Sequence, residues 1–271
     1  MVRNFIVFFI LLCNSQIVTS NSNLEKYDPL SEKTPSYAIN RYQKDFELSF
    51  KQGSIKIINH YGDVVIKNTT QSMVGVSAVV QEIGDDPAIH ELDVQTKNNA
   101  LMFEIKYVNS DLKKHKKSKS QFPIGRVDLV LFIPVEYQIS VQTTIGKIDF
   151  KRVKNPIKAQ SVSGTINASS YYDIQVESKS GAIKVFPVGV QWDKGIHLKS
   201  MSGTIYAIIP VKSNVKLDVK TKGTVKSQLD SIKEWTDIAS NFNKSFGKKG
   251  KPYRIKSKSG AVYLSPHELV K

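Results

Sequence analysis

The sequence predicts an all-β fold, a β-solenoid-like or β-helix-like stack of short strands with Ser-Gly bends. The first observation is a phrase that recurs between residues 138 and 264, as in Val162-Ser163-Gly164-Thr165-Ile166 and Met201-Ser202-Gly203-Thr204-Ile205. Most of its glycines are spaced by 17 to 22 residues, and such self-similarity is typical of repeat architectures. The repeat glycines are Gly146, Gly164, Gly181, Gly203, Gly223 and Gly260.

The second observation is the alternation of apolar and polar residues on both sides of the glycines. Ile157, Ala159 and Ser161 alternate with polar residues before Gly164, and Ile166 begins the same alternation after it. Period-two alternation of β-branched residues indicates strands. The inward parity changes across Ser-Gly, so each unit is predicted to be two short strands that meet at a bend or bulge. Neighbouring units would then stack to complete a core, with Ile166, Ile183, Ile205 and Val262 as an internal apolar ladder.

The N-terminal residues 1–20 have the pattern of a secretory signal peptide. Arg3 provides the positive end, residues 5–12 are apolar without interruption, and Val18-Thr19-Ser20 offers small residues for cleavage. Cys13 is the only cysteine, so cleavage after Ser20 would leave no disulfide, thiol nucleophile or cysteine metal ligand. Lipidation of Cys13 is an alternative interpretation. Export to the periplasm, the cell envelope or the outer surface is therefore expected, with no transmembrane segment after cleavage.

Residues 21–45 are polar, and a flexible leader is expected there. Residues 46–271 are then predicted to form a single β-repeat domain. Its first strands are predicted at 46–50, 53–57, 62–66, 74–81, 91–96 and 101–108. A further strand at 127–133 stops at Pro134, where a proline suits a strand end.

In its order of features the chain resembles the bacterial putative-adhesin family of β-strand repeats, a domain of unknown function. The features are the signal peptide, the early Gly62-Asp63-Val64-Val65-Ile66 strand, the strand ending in Phe132-Ile133-Pro134 and the serial Ser-Gly-x-Ile units. The resemblance covers residues 46–264. It implies a β-solenoid-like fold on an exported envelope protein, and it provides no catalytic residue.

Residues 109–123 interrupt the strands with a run of lysines. Crowded like charges with nothing to bury predict a solvated loop. The loop is a candidate contact for an anionic polymer, and a loop without any ligand is the alternative. The candidate anion-binding residues are Lys113, Lys114, Lys116, Lys117 and Lys119.

Residues 227–246 are predicted to form a helix that covers an end or an edge of the stack. Leu229, Ile232, Trp235, Ala239, Phe242 and Phe246 follow helical spacing. Ser231 and Glu234 would form a capping box. A partner-binding or membrane-surface helix is the alternative.

The net charge of +15 favours anionic partners, namely an anionic envelope polymer or a host glycan. The basic residues accompany no nucleic-acid-binding motif, so no specific nucleic acid is predicted. The oligomeric state is not predicted.

A catalytic site is not predicted, nor is a metal or a cofactor. The five histidines are scattered without the short spacing of a metal pair. Asp149, Asp173 and Glu177 are the nearest candidates for the carboxylates of a polysaccharide-cleaving enzyme, and each is more simply a surface residue. The pair Asp85-Asp86 lacks the further oxygen ligands of a calcium loop.

Two functions remain ahead of an enzyme. The first is a non-enzymatic, adhesin-like protein that binds an anionic or glycan ligand. The second is a structural envelope scaffold that assembles through the ends of the stack. A polysaccharide-active enzyme is the third alternative.

Overall fold

A computed structural model describes residues 37–83, 89–108, 125–135, 137–230, 236–248 and 250–267, and the regular structure in these ranges is β-strand. The strands are β1 (Tyr37–Glu47), β2 (Gly53–Tyr61), β3 (Val64–Asn68), β4 (Met73–Ile83), β5 (Ile89–Lys97), β6 (Ala100–Val108), β7 (Arg126–Ile133), β8 (Tyr137–Ile145), β9 (Ile148–Val153), β10 (Ile157–Ser161), β11 (Ile166–Ser170), β12 (Ile174–Ser178), β13 (Ile183–Val185), β14 (Ile196–Ser200), β15 (Ile205–Pro210), β16 (Val215–Thr221), β17 (Val225–Ser227), β18 (Thr236–Ile238), β19 (Asn241–Phe246), β20 (Lys251–Ser257) and β21 (Val262–His267). The all-β class is confirmed, as are the strands predicted between residues 53 and 133.

The strands form two sheets. The first sheet has eleven strands in the order β1-β4-β7-β3-β9-β11-β13-β15-β21-β17-β18. The second sheet has ten strands in the order β19-β16-β20-β14-β12-β10-β8-β2-β6-β5. From β8 to β15 each successive strand joins the other sheet, so the repeated chain segment passes between the sheets at every Ser-Gly bend.

The buried core is made by the inward side chains of both sheets. In the first sheet, Ile166, Ile183, Ile205 and Val262 lie in one register, and all four side chains are fully buried, which confirms the predicted apolar ladder. In the second sheet, Ile157, Ile174 and Ile196 form an equivalent row. Burial of each such side chain contributes about 1.5–3 kcal/mol, so these rows stabilise the centre of the molecule.

The Ser-Gly bends are held by a buried hydroxyl that closes each turn. Ser178 Oγ donates to the carbonyl oxygen of Gly181 at 2.8 Å, and Ser200 Oγ donates to that of Gly203 at 2.8 Å. The serine before each glycine instead lies outside and bonds to the neighbouring unit, as Ser180 Oγ does to the Val162 carbonyl oxygen at 3.1 Å. The polar residues of the phrase therefore satisfy backbone groups that the change of sheet would leave unpaired.

The solenoid expectation is corrected, because the molecule consists of two mixed sheets. β1, β4 and β7 pair antiparallel in the first sheet, and β5 pairs antiparallel with β6 in the second. At the other end, β18 and β19 fold back antiparallel on β17 and β16. β20 and β21 also insert before β16 and β17, so the order of the strands does not follow the chain.

The helix predicted at 227–246 is wrong where the structure describes the segment. Residues 236–238 and 241–246 are β18 and β19. The four-residue spacing of Phe242 and Phe246 fits a strand as well as a helix, because four is a multiple of two. Residues 241–246 form a strand because they pair with the edge of β16. Ser231, Glu234 and Trp235 lie outside the described residues.

Other predicted segments are only partly described. The predicted signal peptide and most of the predicted leader lie outside the described residues, whereas residues 37 to 45 of the leader segment belong to β1. The strand predicted at 46–50 ends at Glu47 with β1. Within the described ranges, no helix is long and apolar enough to cross a membrane.

Candidate functional site

A groove of about 710 Å³ lies on the outer face of the first sheet, across β9, β11, β13 and β15. It is the best candidate for a binding site, because it combines aromatic, amide and charged side chains in one concave surface. We call it the β9–β15 groove. Its polar and aromatic lining residues are Asp149, Lys151, Arg152, Asn167, Ser169, Lys184, Phe186 and Tyr206.

A bulge in β9 shapes one end of the groove. Phe150 is opposite Ala168 and Val153 is opposite Ser170, so β9 contains one more residue than β11 between these pairs. Arg152 has a φ of 53°, a left-handed conformation that costs a non-glycine residue about 1–2 kcal/mol. The bulge exposes Lys151 and Arg152 together, which a regular strand would place on opposite faces.

Aromatic rings form the opposite side of the groove. Tyr206 and Tyr263 are register partners on β15 and β21, and their rings stack with centroids 5.0 Å apart and an interplanar angle of 14°. Lys184 Nζ lies 5.7 Å from the centroid of Tyr206. Phe186 extends the aromatic surface and contacts His267, with ring centroids 4.7 Å apart. Tyr206 is 42% exposed and Phe186 is 38% exposed, so both rings offer contact area to a ligand.

Two polar side chains in the lining lack a hydrogen-bond partner in the described residues. They are Asn167, through its Oδ1, and Ser169, through its Oγ, and both atoms are buried. A buried oxygen without a partner costs about 1–3 kcal/mol, and a ligand that donates hydrogen bonds would recover that cost. Asn167 lies in register between Asp149 and Lys184, at the centre of the groove.

Asp149 is the buried carboxylate of the groove. Burial by itself would raise its pKa, but hydrogen bonds and charge from Lys147 and Lys151 outweigh that effect and keep the pKa below its ordinary value. The ammonium groups lie 2.8 Å and 2.7 Å from Asp149 Oδ2. Asp149 is therefore ionised and neutralised at pH 7, and the excess charge of the groove is positive because of its remaining cations, Arg152 and Lys184.

The three carboxylates that are the nearest candidates for catalysis lie in different places. Asp149 lies in the groove, whereas Glu177 pairs with Lys199 on the second sheet at 2.6 Å. Asp173 accepts backbone hydrogen bonds from Lys194 and Gly195 in a turn. The structure therefore brings no two of them together. Among the described residues no group of three potential metal ligands is found.

The six repeat glycines lie in one column at the bends, joined by Gly62. A side chain on any of Gly164, Gly181 or Gly203 would collide with the carbonyl oxygen of the glycine in the preceding unit. Gly146 also has a φ of 133°.

The candidate anion-binding lysines lie outside the described residues, as does the pair Asp85-Asp86. These lysines are Lys113, Lys114, Lys116, Lys117 and Lys119.

The sequence reasoning missed the aromatic and amide residues of the groove, although a signal for them exists. Asn167, Lys184, Tyr206 and Tyr263 each follow the β-branched residue after a repeat glycine. Aligning the units on Ser-Gly places these residues in one column, and the sheet register confirms that arrangement.

No family model matches the chain, and no curated protein matches it. Several solved structures are similar to it over most of its length. A "putative cell adhesion protein" from Clostridium sporogenes is 11% identical, with 85% of this chain and 100% of that chain covered and a TM-score of 0.45. A "putative adhesin" from Bacteroides fragilis is 12% identical, with 84% and 97% covered and a TM-score of 0.38. A "putative lipid binding protein" from Parabacteroides distasonis is 11% identical, with 84% and 97% covered and a TM-score of 0.33.

Proposed function

We propose that this chain is an exported, non-enzymatic, adhesin-like protein and that its β9–β15 groove binds an acidic oligosaccharide. The observation that carries the proposal is the stacked pair of Tyr206 and Tyr263 beside Lys184. A pyranose ring presents an apolar C–H face that packs on an aromatic ring, and its hydroxyls project at the edges, where polar groups can bond to them.

The polar groups of the groove suit the rest of such a ligand. Asn167 Oδ1 and Ser169 Oγ are buried acceptors without a described partner, and sugar hydroxyls are donors. Lys184 and Arg152 are the cations of the lining that are not bound to Asp149, and they would pair with a carboxylate on the sugar. This combination supports an acidic sugar over a neutral one.

The test is titration calorimetry with an oligogalacturonate and with its methyl ester, which has the same rings without the charges. We expect Tyr206→Ala to weaken binding of both ligands at least tenfold. Lys184→Gln should weaken binding of the acidic ligand and leave the ester unaffected.

Phe132 and Lys67 provide matched controls, because they form a similar cation–aromatic pair on the same sheet outside the groove, 5.6 Å apart. Phe132→Ala and Lys67→Gln should change neither affinity. Absence of binding by the parent protein, or equal losses in groove and control variants, would reject the proposal.

The alternative function is a scaffold that assembles through the ends of the sheets. The observation in its favour is β1, an eleven-residue edge strand that has one strand partner, β4, within the described residues. Ile39 on this strand is 60% exposed, and long exposed edges promote pairing with another chain. Association in sedimentation velocity that Ile39→Lys abolishes, together with no oligosaccharide binding, would favour the scaffold.

A further inference from the structure

A second charged surface lies on the outer face of the second sheet, opposite the groove. Lys199, Lys256 and Lys220 are register partners on the adjacent strands β14, β20 and β16. Lys258 and Lys222 directly follow the next register pair, Ser257 and Thr221. We call these five lysines the β20 basic strip. All five side chains are exposed.

The folded structure does not balance the charge of the strip. Glu177 lies 2.6 Å from Lys199, and Asp218 lies 4.0 Å from Lys220. Lys256, Lys258 and Lys222 have no ion-pair partner within the described part of the chain. Like charges directly opposite each other on neighbouring strands destabilise a sheet, so the strip works against folding.

The register row that contains Lys199, Lys256 and Lys220 has neutral residues on β8 and β10. The fold therefore does not require a lysine at every position of this row. Gln142 on β8 and Gln160 on β10 occupy the equivalent positions, and Gln142 Nε2 donates to Gln160 Oε1 at 2.7 Å. The row continues through Glu177 on β12, and it carries lysines on the next three strands, β14, β20 and β16. A charge concentrated at a cost to stability indicates a partner that neutralises it.

The spacing of the strip fits a linear polymer. Neighbouring strands are about 4.8 Å apart, and alternate residues of one parallel strand are about 6.6 Å apart. Arg254 and Lys256 follow one another in this way along β20, and Lys258 directly follows the last residue of the strand, Ser257. A polymer whose anionic groups are spaced by a similar distance, about 5–7 Å, could therefore contact successive cations with successive monomers.

The chemistry of the face favours phosphate or sulfate groups over nucleic acid. The outward residues of β14, β16 and β20 are basic, acidic, histidine or proline, with no Phe, Tyr or Trp among them, so the face lacks the large aromatic platforms on which successive bases stack. We infer that the β20 basic strip binds a linear polymer that carries phosphate or sulfate groups. This site is independent of the oligosaccharide site in the groove, because the two lie on opposite outer faces.

The test measures binding of linear polyphosphate and of dextran sulfate at several salt concentrations, with neutral dextran as the reference. The strip variant is Lys256→Gln with Lys220→Gln. The control is Lys56→Gln with Lys158→Gln, which removes the same charge from the outer face of the same sheet. The two polymers distinguish phosphate from sulfate as the preferred anionic group.

We expect the strip variant to lose at least fivefold in affinity at low salt for the preferred polymer. The slope of log affinity against log salt should fall by about 1.4–1.8, because each lysine contributes about 0.7–0.9. The control should lose less than twofold, and both variants should keep oligosaccharide binding in the groove. Equal losses in both variants would show an effect of net charge alone and overturn the inference. No binding of either polymer, or stronger binding to a single-stranded oligonucleotide or to anionic vesicles, would also overturn it.

Discussion

Successive residues of the repeat have opposite roles in this molecule, as Thr204 and Ile205, the first residue of β15, illustrate. Ile205 is fully buried between Ile183 and Val262, whereas Thr204 lies partly exposed at the bend. We expect Ile205→Asp to lower the free energy of unfolding by about 4 kcal/mol or more, because an unpaired charge would enter the core. Thr204→Asp should cost less than about 1 kcal/mol. Chemical denaturation of both variants checks this, and equal losses would contradict the alternation.

Asp149 makes stability depend on pH in a defined direction. Its pKa in the folded protein is lowered, on balance, because Lys147 and Lys151 outweigh burial. Its contribution to stability is therefore present above the pKa of an unfolded aspartate, about 3.9, and is lost as pH falls through the lower folded pKa. Asp149→Asn should be less stable than the parent at pH 6, and the difference should shrink below about pH 3.9. Urea denaturation of both proteins at several pH values tests this, and a difference in stability that does not change with pH would contradict it.

At the scale of elements, the Ser-Gly bend depends on a close approach between backbones. A Cβ atom at Gly164 would collide with the carbonyl group of Gly146, which cannot move without disturbing the next unit. Ser163 Oγ makes one exposed hydrogen bond, to the Thr144 carbonyl oxygen at 3.2 Å. Gly164→Ala should therefore destabilise by about 2 kcal/mol or more, and Ser163→Ala by about 1 kcal/mol or less. If thermal unfolding finds the two variants equally stable, the glycine column is not a packing requirement.

The bend also explains how each repeat unit contributes one strand to each of the two sheets. The inward residues Ser161 and Ile166 are five positions apart, an odd number, yet both are buried. A continuous strand would place one of them outside. The change of sheet at Gly164 resolves the conflict, and the buried serine hydroxyl bonds to the Gly164 backbone N–H at 2.9 Å.

At the scale of the whole molecule, the positive charge of +15 acts over distance as well as at sites. We expect replacement of the five lysines of the predicted loop, at 113, 114, 116, 117 and 119, by glutamine to change stability by no more than about 0.5 kcal/mol. The association rate with an acidic oligosaccharide should fall several-fold at low salt, with an unchanged dissociation rate. At about 1 M salt, where the screening length is about 3 Å, the rates should agree with those of the parent. Stopped-flow measurements test this, and a faster dissociation rate would instead place a direct contact in the loop.

The sequence by itself determined which apolar residues of the repeated segment are buried and where its strands lie. Alternation with period two is a local property, so the spacing of Ile166, Ile183 and Ile205 is sufficient to identify them as one ladder. The bends are also evident from the sequence, because the shift of parity at Ser-Gly has one simple explanation, an extra residue between two strands. Asp149 was expected at the surface, whereas the structure buries its side chain and pairs it with Lys147 and Lys151.

Only the tertiary structure decided the order of the strands, the ends of the sheets and the two candidate surfaces. The apolar inward residues of the units are nearly interchangeable, so nothing local requires β20 and β21 to insert before β16 and β17. Phe242 and Phe246 satisfy helical and strand spacing equally, and the unpaired edge of β16 selects the strand. The groove and the basic strip arise when residues from separate units meet across the sheets, and hydrogen bonds between distant strands fix that register.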